Sequence, residues 1–122
     1  MDKDNLNNFQ NNLEYILKHL IENIKDIDNL DDKIYFELSK KEILESFNNI
    51  YLLMSKWENY YKLKQIDIII NEYKIVESLI SQLELCLVNY EKKFHMNGIS
   101  YSLYEIGKIL INIKIEGEKN VR

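Results

Sequence analysis

Proline is absent from this 122-residue chain, glycine occurs three times and cysteine once. Sheet proteins rely on proline and glycine for their turns, so a chain this poor in both is expected to be all-helical. The single cysteine, Cys86, excludes an intrachain disulfide and suits a reducing compartment. No apolar run approaches the ~20 residues of a membrane span, and the opening MDKDNLNNF has no signal-peptide core. The expected location is the cytoplasm. Glycine-rich phosphate loops and Gly-x-Ser-x-Gly turns are both missing, so the sequence offers no frame for nucleotide or acyl-transfer catalysis. A formal charge of −4 argues against general nucleic-acid binding through a basic face. What acid there is gathers early: residues 1–32 carry eight Asp and Glu against three Lys.

What the chain does have is helical periodicity. The length allows one domain with one core, and 46% of the residues are hydrophobic against 30% charged, as in folded globular proteins. Ile66, Ile69, Tyr73, Val76, Ile80, Leu83, Leu87, Tyr90 and Phe94 alternate steps of three and four, the seam of a long amphipathic helix over 66–95. A second row, Ile68, Ile75, Leu79 and Cys86, lies about 100° round that helix. Two adjacent stripes imply two sets of neighbours, so this third helix is expected to be central, with Cys86 a buried and inert thiol.

The first helix is expected over 4–25, with Leu6, Phe9, Leu13, Ile16, Leu20 and Ile24 as its stripe and Asp4 or Asn5 as its cap. Asp26 to Asp32 then forms an acidic connection. Asp26, Asp28, Asp32 and Glu37 occupy calcium-ligand places of an EF-hand frame, but Leu30 stands at the fifth ligand and Asp31 replaces the glycine of the sharp turn. A solvated loop is the better reading. Ser39 and Glu42 make a capping box opening the second helix over 39–62, whose stripe is Ile43, Phe47, Ile50, Met54, Trp57 and Tyr61. Its register would next place Lys64 and Asn71 on the seam, so a break near Leu63 is required. A tight turn there would give a long central hairpin of the second and third helices.

Asn97-Gly98 is the strongest stop signal in the chain. A fourth helix is expected over 102–115, capped by Ser102 with Glu105, followed by a mobile tail over 116–122. Period-two alternation in Ile111, Ile113 and Ile115 would also suit a short strand, but no second strand is in sight. The expected fold is an all-α four-helix bundle.

The metal and nucleophile readings are weak. His19 with Glu22 and Glu91 with His95 are at helical spacing, yet neither the order nor the number matches a di-iron bundle. No cofactor, metal site or catalytic residue is expected. Tyr and Trp dominate binding hot spots, and the chain has nine tyrosines and one tryptophan. Trp57 and Tyr61 read as core, while Tyr60 and Tyr15 read as exposed contact residues. Ile70, Leu85 and Val88 fall in the polar sector of the third helix and complete the set of candidate partner-binding residues.

Ser102-Leu-Tyr-Glu-Ile-Gly-Lys-Ile-Leu110 resembles the first helix of a sigma-factor-like helix-turn-helix, in which a Ser or Thr cap precedes a Glu-Ile-Gly/Ala core. The resemblance implies an alternative function, a small transcription or replication regulator acting through 102–115. The leading expectation is a non-catalytic protein-binding bundle. It would occupy the surface of a host, toxin or defence protein, or of a second copy as a homodimer. Immunity proteins and phage-encoded inhibitors of host defence commonly work this way, and bacteriocin immunity proteins share this size and bundle architecture, a fold-level analogy. Enrichment in Ile, Asn and Lys suggests a low-GC bacterium or its phages and plasmids.

Overall fold

A computed structural model describes residues 3–29, 39–87 and 96–120. They form α1 (Lys3–Asp28), α2 (Lys40–Met54), α3 (Trp57–Lys62), α4 (Ile66–Leu87) and α5 (Met96–Asn120). The described residues are all-α, as the scarcity of turn formers requires. The four long helices form a ring in which α1 packs on α2 and α5, and α4 packs on α5 and on α2 with α3. α1 and α5 share the most extensive contact. The expected central hairpin is therefore not the organising unit: α4 takes one place in the ring, and the second helix is broken in two.

That break lies at Ser55–Lys56. The Ser55 N–H donates to the Tyr51 carbonyl and the Ser55 hydroxyl to the Leu52 carbonyl. α3 then restarts with Trp57 and Tyr61 both fully buried. The stripe of the expected 39–62 helix survives the break, because Ile43, Phe47, Ile50, Met54, Trp57 and Tyr61 all reach the core. At the start of α2 the Ser39 hydroxyl accepts the Glu42 N–H at 3.2 Å, as the capping-box spacing requires.

The register break expected near Leu63 is present, and the main chain makes it. Lys64 has φ 60°. Its N–H donates to the Tyr61 carbonyl at 3.1 Å, and the Gln65 N–H donates to the Tyr60 carbonyl at 2.8 Å. This is the Schellman pattern, with a lysine where glycine usually stands.

In α1 the buried seam is Phe9, Leu13, Ile16, Leu20, Asn23 and Ile27. The apolar pattern placed Leu6 and Ile24 there, but the straight helix drifts onto Asn23 and reaches Ile27, so both expected residues are half-buried at its edge. Phe9 stacks on Tyr61 with ring centroids 4.3 Å apart and planes 14° from parallel. Together with Trp57 these rings fill the α3 end of the core. Burying such side chains is worth roughly 1.5–3 kcal/mol each before entropy is counted.

α5 departs most from expectation. It begins at Met96, runs through Asn97-Gly98 and Ser102 without interruption, and continues to Asn120 across the segment expected to be a mobile tail. No glycine among the described residues has positive φ. Gly98 is thus a helical residue, selected for space: a β-carbon there would collide with the hydroxyl of Tyr15. Ser102 is buried in mid-helix and caps nothing. Residues 88–95, which hold the far end of the expected third helix with Val88, Tyr90, Phe94 and the Glu91–His95 pair, lie outside the described residues. Asp32 and Glu37 of the calcium frame lie outside them too, while Asp26 and Asp28 belong to the last turn of α1.

The second stripe of α4 also differs. Ile68 and Ile75 are exposed, Ile75 by 52%, and Leu79 and Cys86 are half-buried. The flank that α4 presents to α5 is the opposite one, carrying Tyr73, Glu84 and the half-buried Ile70. Ser100 Oγ of α5 donates to Glu84 Oε1, and the Tyr73 hydroxyl lies over Gly107 of α5. Apolar content alone does not say which flank meets a neighbour. Here a glycine and a serine on α5 admit the tyrosine and the carboxylate, and these displace Ile68 and Ile75 to the surface.

Candidate functional site

Helix α5 carries two apolar seams. The inner one, Ile99, Leu103, Ile106, Leu110 and Ile113, faces the core, with Ile113 half-buried at its end. The outer one is Tyr101, Tyr104, Lys108, Ile111 and Ile115, with the same alternation of threes and fours. Its members stand one or two residues beyond those of the inner seam, so its mean direction lies about 160° round the helix. Tyr101 is 66% exposed, Tyr104 and Ile111 58% each, and Ile115 45%. Single exposed apolar residues are ordinary, but a row at heptad spacing on one face is the pattern by which a helix meets another helix.

The one charge within the row is arranged to fit it. Lys108 Nζ lies 4.9 Å from the centre of the Tyr104 ring and 3.7 Å from Glu105 Oε1. Its stem lies along the apolar surface and its ammonium rests on an aromatic face. The outer side of α5 thus presents two phenols, two isoleucines and a lysine already committed to its own helix. The sequence hid this surface. A helix starting at residue 102 omits Tyr101, and the period-two alternation of Ile111, Ile113 and Ile115, which also suits a short strand, draws attention away from the three-and-four spacing of the outer row. In a continuous helix Ile111 and Ile115 point outward while Ile113 points in.

The residues proposed from sequence do not assemble into one surface. Leu85, on α4, is 77% exposed and stands apart. Ile70 is half-buried and packs against the core, so it is not a stray, and Tyr60 on α3 is likewise half-buried against the core. Tyr15 is exposed on α1, with its hydroxyl over Gly98 and its ring 4.2 Å from that of His19. Val88 lies outside the described residues.

The remaining chemistry is local. His19 Nδ1 lies 3.4 Å from Glu22 Oε2 within α1. Among the described residues no group of His, Cys, Asp and Glu could hold a metal ion, and no helix is long and apolar enough to cross a membrane. Burial raises the pKa of Glu84. Tyr73 is pushed up to about 12 by burial, by the charge of Glu77 and by a hydrogen bond to it. The segment 102–110, which resembles a helix-turn-helix element, is the middle of α5, and no turn follows it before Asn120. Comparison of the chain with protein-family models, with curated proteins and with solved structures gives no match.

Proposed function

We propose that this chain is a non-catalytic protein-binding module of the inhibitor, immunity or anti-defence kind, which acts by laying the outer face of α5 on a partner protein. The observation that carries the reading is the seam Tyr101, Tyr104, Ile111 and Ile115, exposed along one face of α5. Hot-spot contacts are dominated by aromatic side chains set among apolar ones, and this face offers two tyrosines in that setting.

The test uses the whole chain as bait in cells of its native host, with Ile111→Glu as the paired bait. Ile111 is exposed, so the variant should melt within a few degrees of wild type. A protein retained by wild type is then purified and its affinity measured directly. At least a roughly tenfold loss is expected for Ile111→Glu and for Tyr104→Ala. A partner that binds both variants as tightly as wild type overturns the assignment of this face.

A further inference from the structure

The reading above lays the face on a protein it does not identify, and the pattern of α5 itself names one. We propose that the outer seam of α5 is covered by the same seam of a second copy, running antiparallel; this rests on the reading of that face as a contact surface.

The argument begins with the order of residues along the seam: Asn97, Tyr101, Tyr104, Lys108, Ile111, Ile115. The sequence is self-complementary on reversal. With the two-fold axis level with Ile106, Tyr101 of each copy meets Ile111 of the other, and Tyr104 meets Lys108. Every layer then pairs an aromatic or polar group with an aliphatic one, or an ammonium with a ring. Lys108 already lies on its own Tyr104 ring at 4.9 Å, so a second tyrosine face extends a contact it makes in the monomer. Glu105 of both copies stands beside this layer, and two Glu with two Lys make a neutral group.

A parallel arrangement fails on the same residues. It would stack Lys108 on Lys108 and bring Glu116 and Glu118 of both chains to one end, with the helix dipoles aligned.

The charge distribution along α5 gives an independent reason. Residues 96–104 carry no charge, and Glu116 and Glu118 stand near the C-terminal, negative end of the helix, where acidic groups are unfavourable. In the antiparallel pair Glu116 comes level with Met96 of the second copy, at the positive end of that copy's dipole. A repulsive position in the monomer becomes an attractive one in the dimer.

Size sets the expected strength. One seam from Asn97 to Ile115 spans about 27 Å at about 1.5 Å per residue. A contact confined to one helix per copy falls at or below about 1,200 Å² in total, the range of weak and reversible complexes. The dimer is therefore expected to form in the micromolar range.

Sedimentation of the full chain from about one to several hundred micromolar brackets that range. Wild type should move from monomer to dimer, and Ile111→Glu should stay monomeric throughout with an unchanged melt. Orientation is read by mixing a Tyr101→Cys chain with an Ile111→Cys chain, both carrying Cys86→Ser. The mixed crosslink should exceed the two like-with-like crosslinks several-fold. A wild type that stays monomeric at every concentration overturns the proposal. So does a dimer that survives Ile111→Glu, or a preference for like-with-like crosslinks. A monomer that still loses a captured partner on Ile111→Glu ends the second-copy inference but leaves the face as a contact surface. A dimer that captures nothing supports the second-copy inference and ends the foreign-partner reading of the face.

Discussion

The Tyr73 hydroxyl lies 2.5 Å from the point where a β-carbon on Gly107 would stand, and Tyr73 Cζ lies 2.8 Å from it. Tyrosine and glycine here are two halves of one contact, and α4 approaches α5 as closely as it does because Gly107 has no side chain.

A series of glycine replacements tests that contact. In an open helical position Ala exceeds Gly by about 1 kcal/mol. Gly117 has nothing within 4 Å of such a β-carbon, so Gly117→Ala should raise the melting temperature. Gly107→Ala should lower it, since overpacking against a half-buried ring costs about 1–3 kcal/mol and outweighs the propensity gain. Gly98→Ala should fall between them, because there the clash is with the hydroxyl tip of Tyr15, whose Cζ stays 3.2 Å away against 2.8 Å for Tyr73 at Gly107. Equal effects at 107 and 117 in a thermal melt would dissolve the contact.

At Lys64 the left-handed backbone costs a side-chain-bearing residue about 1–2 kcal/mol. Lys64→Gly removes that cost, less the extra freedom glycine has in the unfolded chain, about 0.5–1 kcal/mol. A net gain of about 0.5–1 kcal/mol is expected in urea unfolding. Lys64→Val, β-branched at the same φ, should be less stable than the wild type. The order Gly, Lys, Val is the measurable outcome, and any other order contradicts the φ of this residue.

Tyr61 is fully buried, and its hydroxyl has no hydrogen-bond partner among the described residues. Leaving such a group unpaired costs about 1–3 kcal/mol. Tyr61→Phe keeps the stack on Phe9 and removes the hydroxyl, so the variant should be at least as stable as wild type at neutral pH. Burial also raises the Tyr61 pKa above 10.0, so above that pH the unfolded chain releases this proton first and stability falls. Guanidinium titrations should show a shallower decline from pH 10 upward in Tyr61→Phe. Tyr73, at about 12, accounts for part of what remains.

For Glu84 the same linkage acts at acid pH. Its folded pKa is raised above the ordinary 4.5, so the unfolded state loses the proton first and stability declines as pH rises from the ordinary value through the raised one. Below the ordinary value both states are protonated and the decline has not begun. Glu84→Gln retains an oxygen to accept from Ser100 and removes the titration. The variant should match wild type at low pH and exceed it at neutral pH, read as a crossover-free divergence of two stability curves.

Much of the architecture was legible in the residues. The scarcity of Pro and Gly and the seams of Ile43 to Tyr61 and of Ile69 to Leu87 required helices, and the clash of Lys64 and Asn71 with the register required a break near Leu63. What misled was glycine. Asn97-Gly98 has the composition of a helix stop, but Gly98 makes room for Tyr15, and composition does not distinguish a turn from a close approach. The same ambiguity at Gly107 hid which flank of α4 meets α5, and so exchanged the roles of Ile70 and Ile75. The outer face of α5 was illegible for a related reason. With the helix begun six residues late, Tyr101 was outside it and the row was cut to Tyr104, Lys108, Ile111 and Ile115.

The two tyrosine–glycine contacts on α5 come from opposite sides, Tyr15 of α1 over Gly98 and Tyr73 of α4 over Gly107. Each ring acts as a key in a slot, and the slots sit at different heights along the same shaft. Sliding α5 by one turn, about 5.4 Å, would carry both glycines away and drive larger side chains into the rings. Rolling it would do the same. α5 is thereby indexed in height and in rotation, and the row of Tyr101, Tyr104, Ile111 and Ile115 is held at one fixed bearing. Nothing short of opening the bundle withdraws it, so whatever binds this face meets it already set.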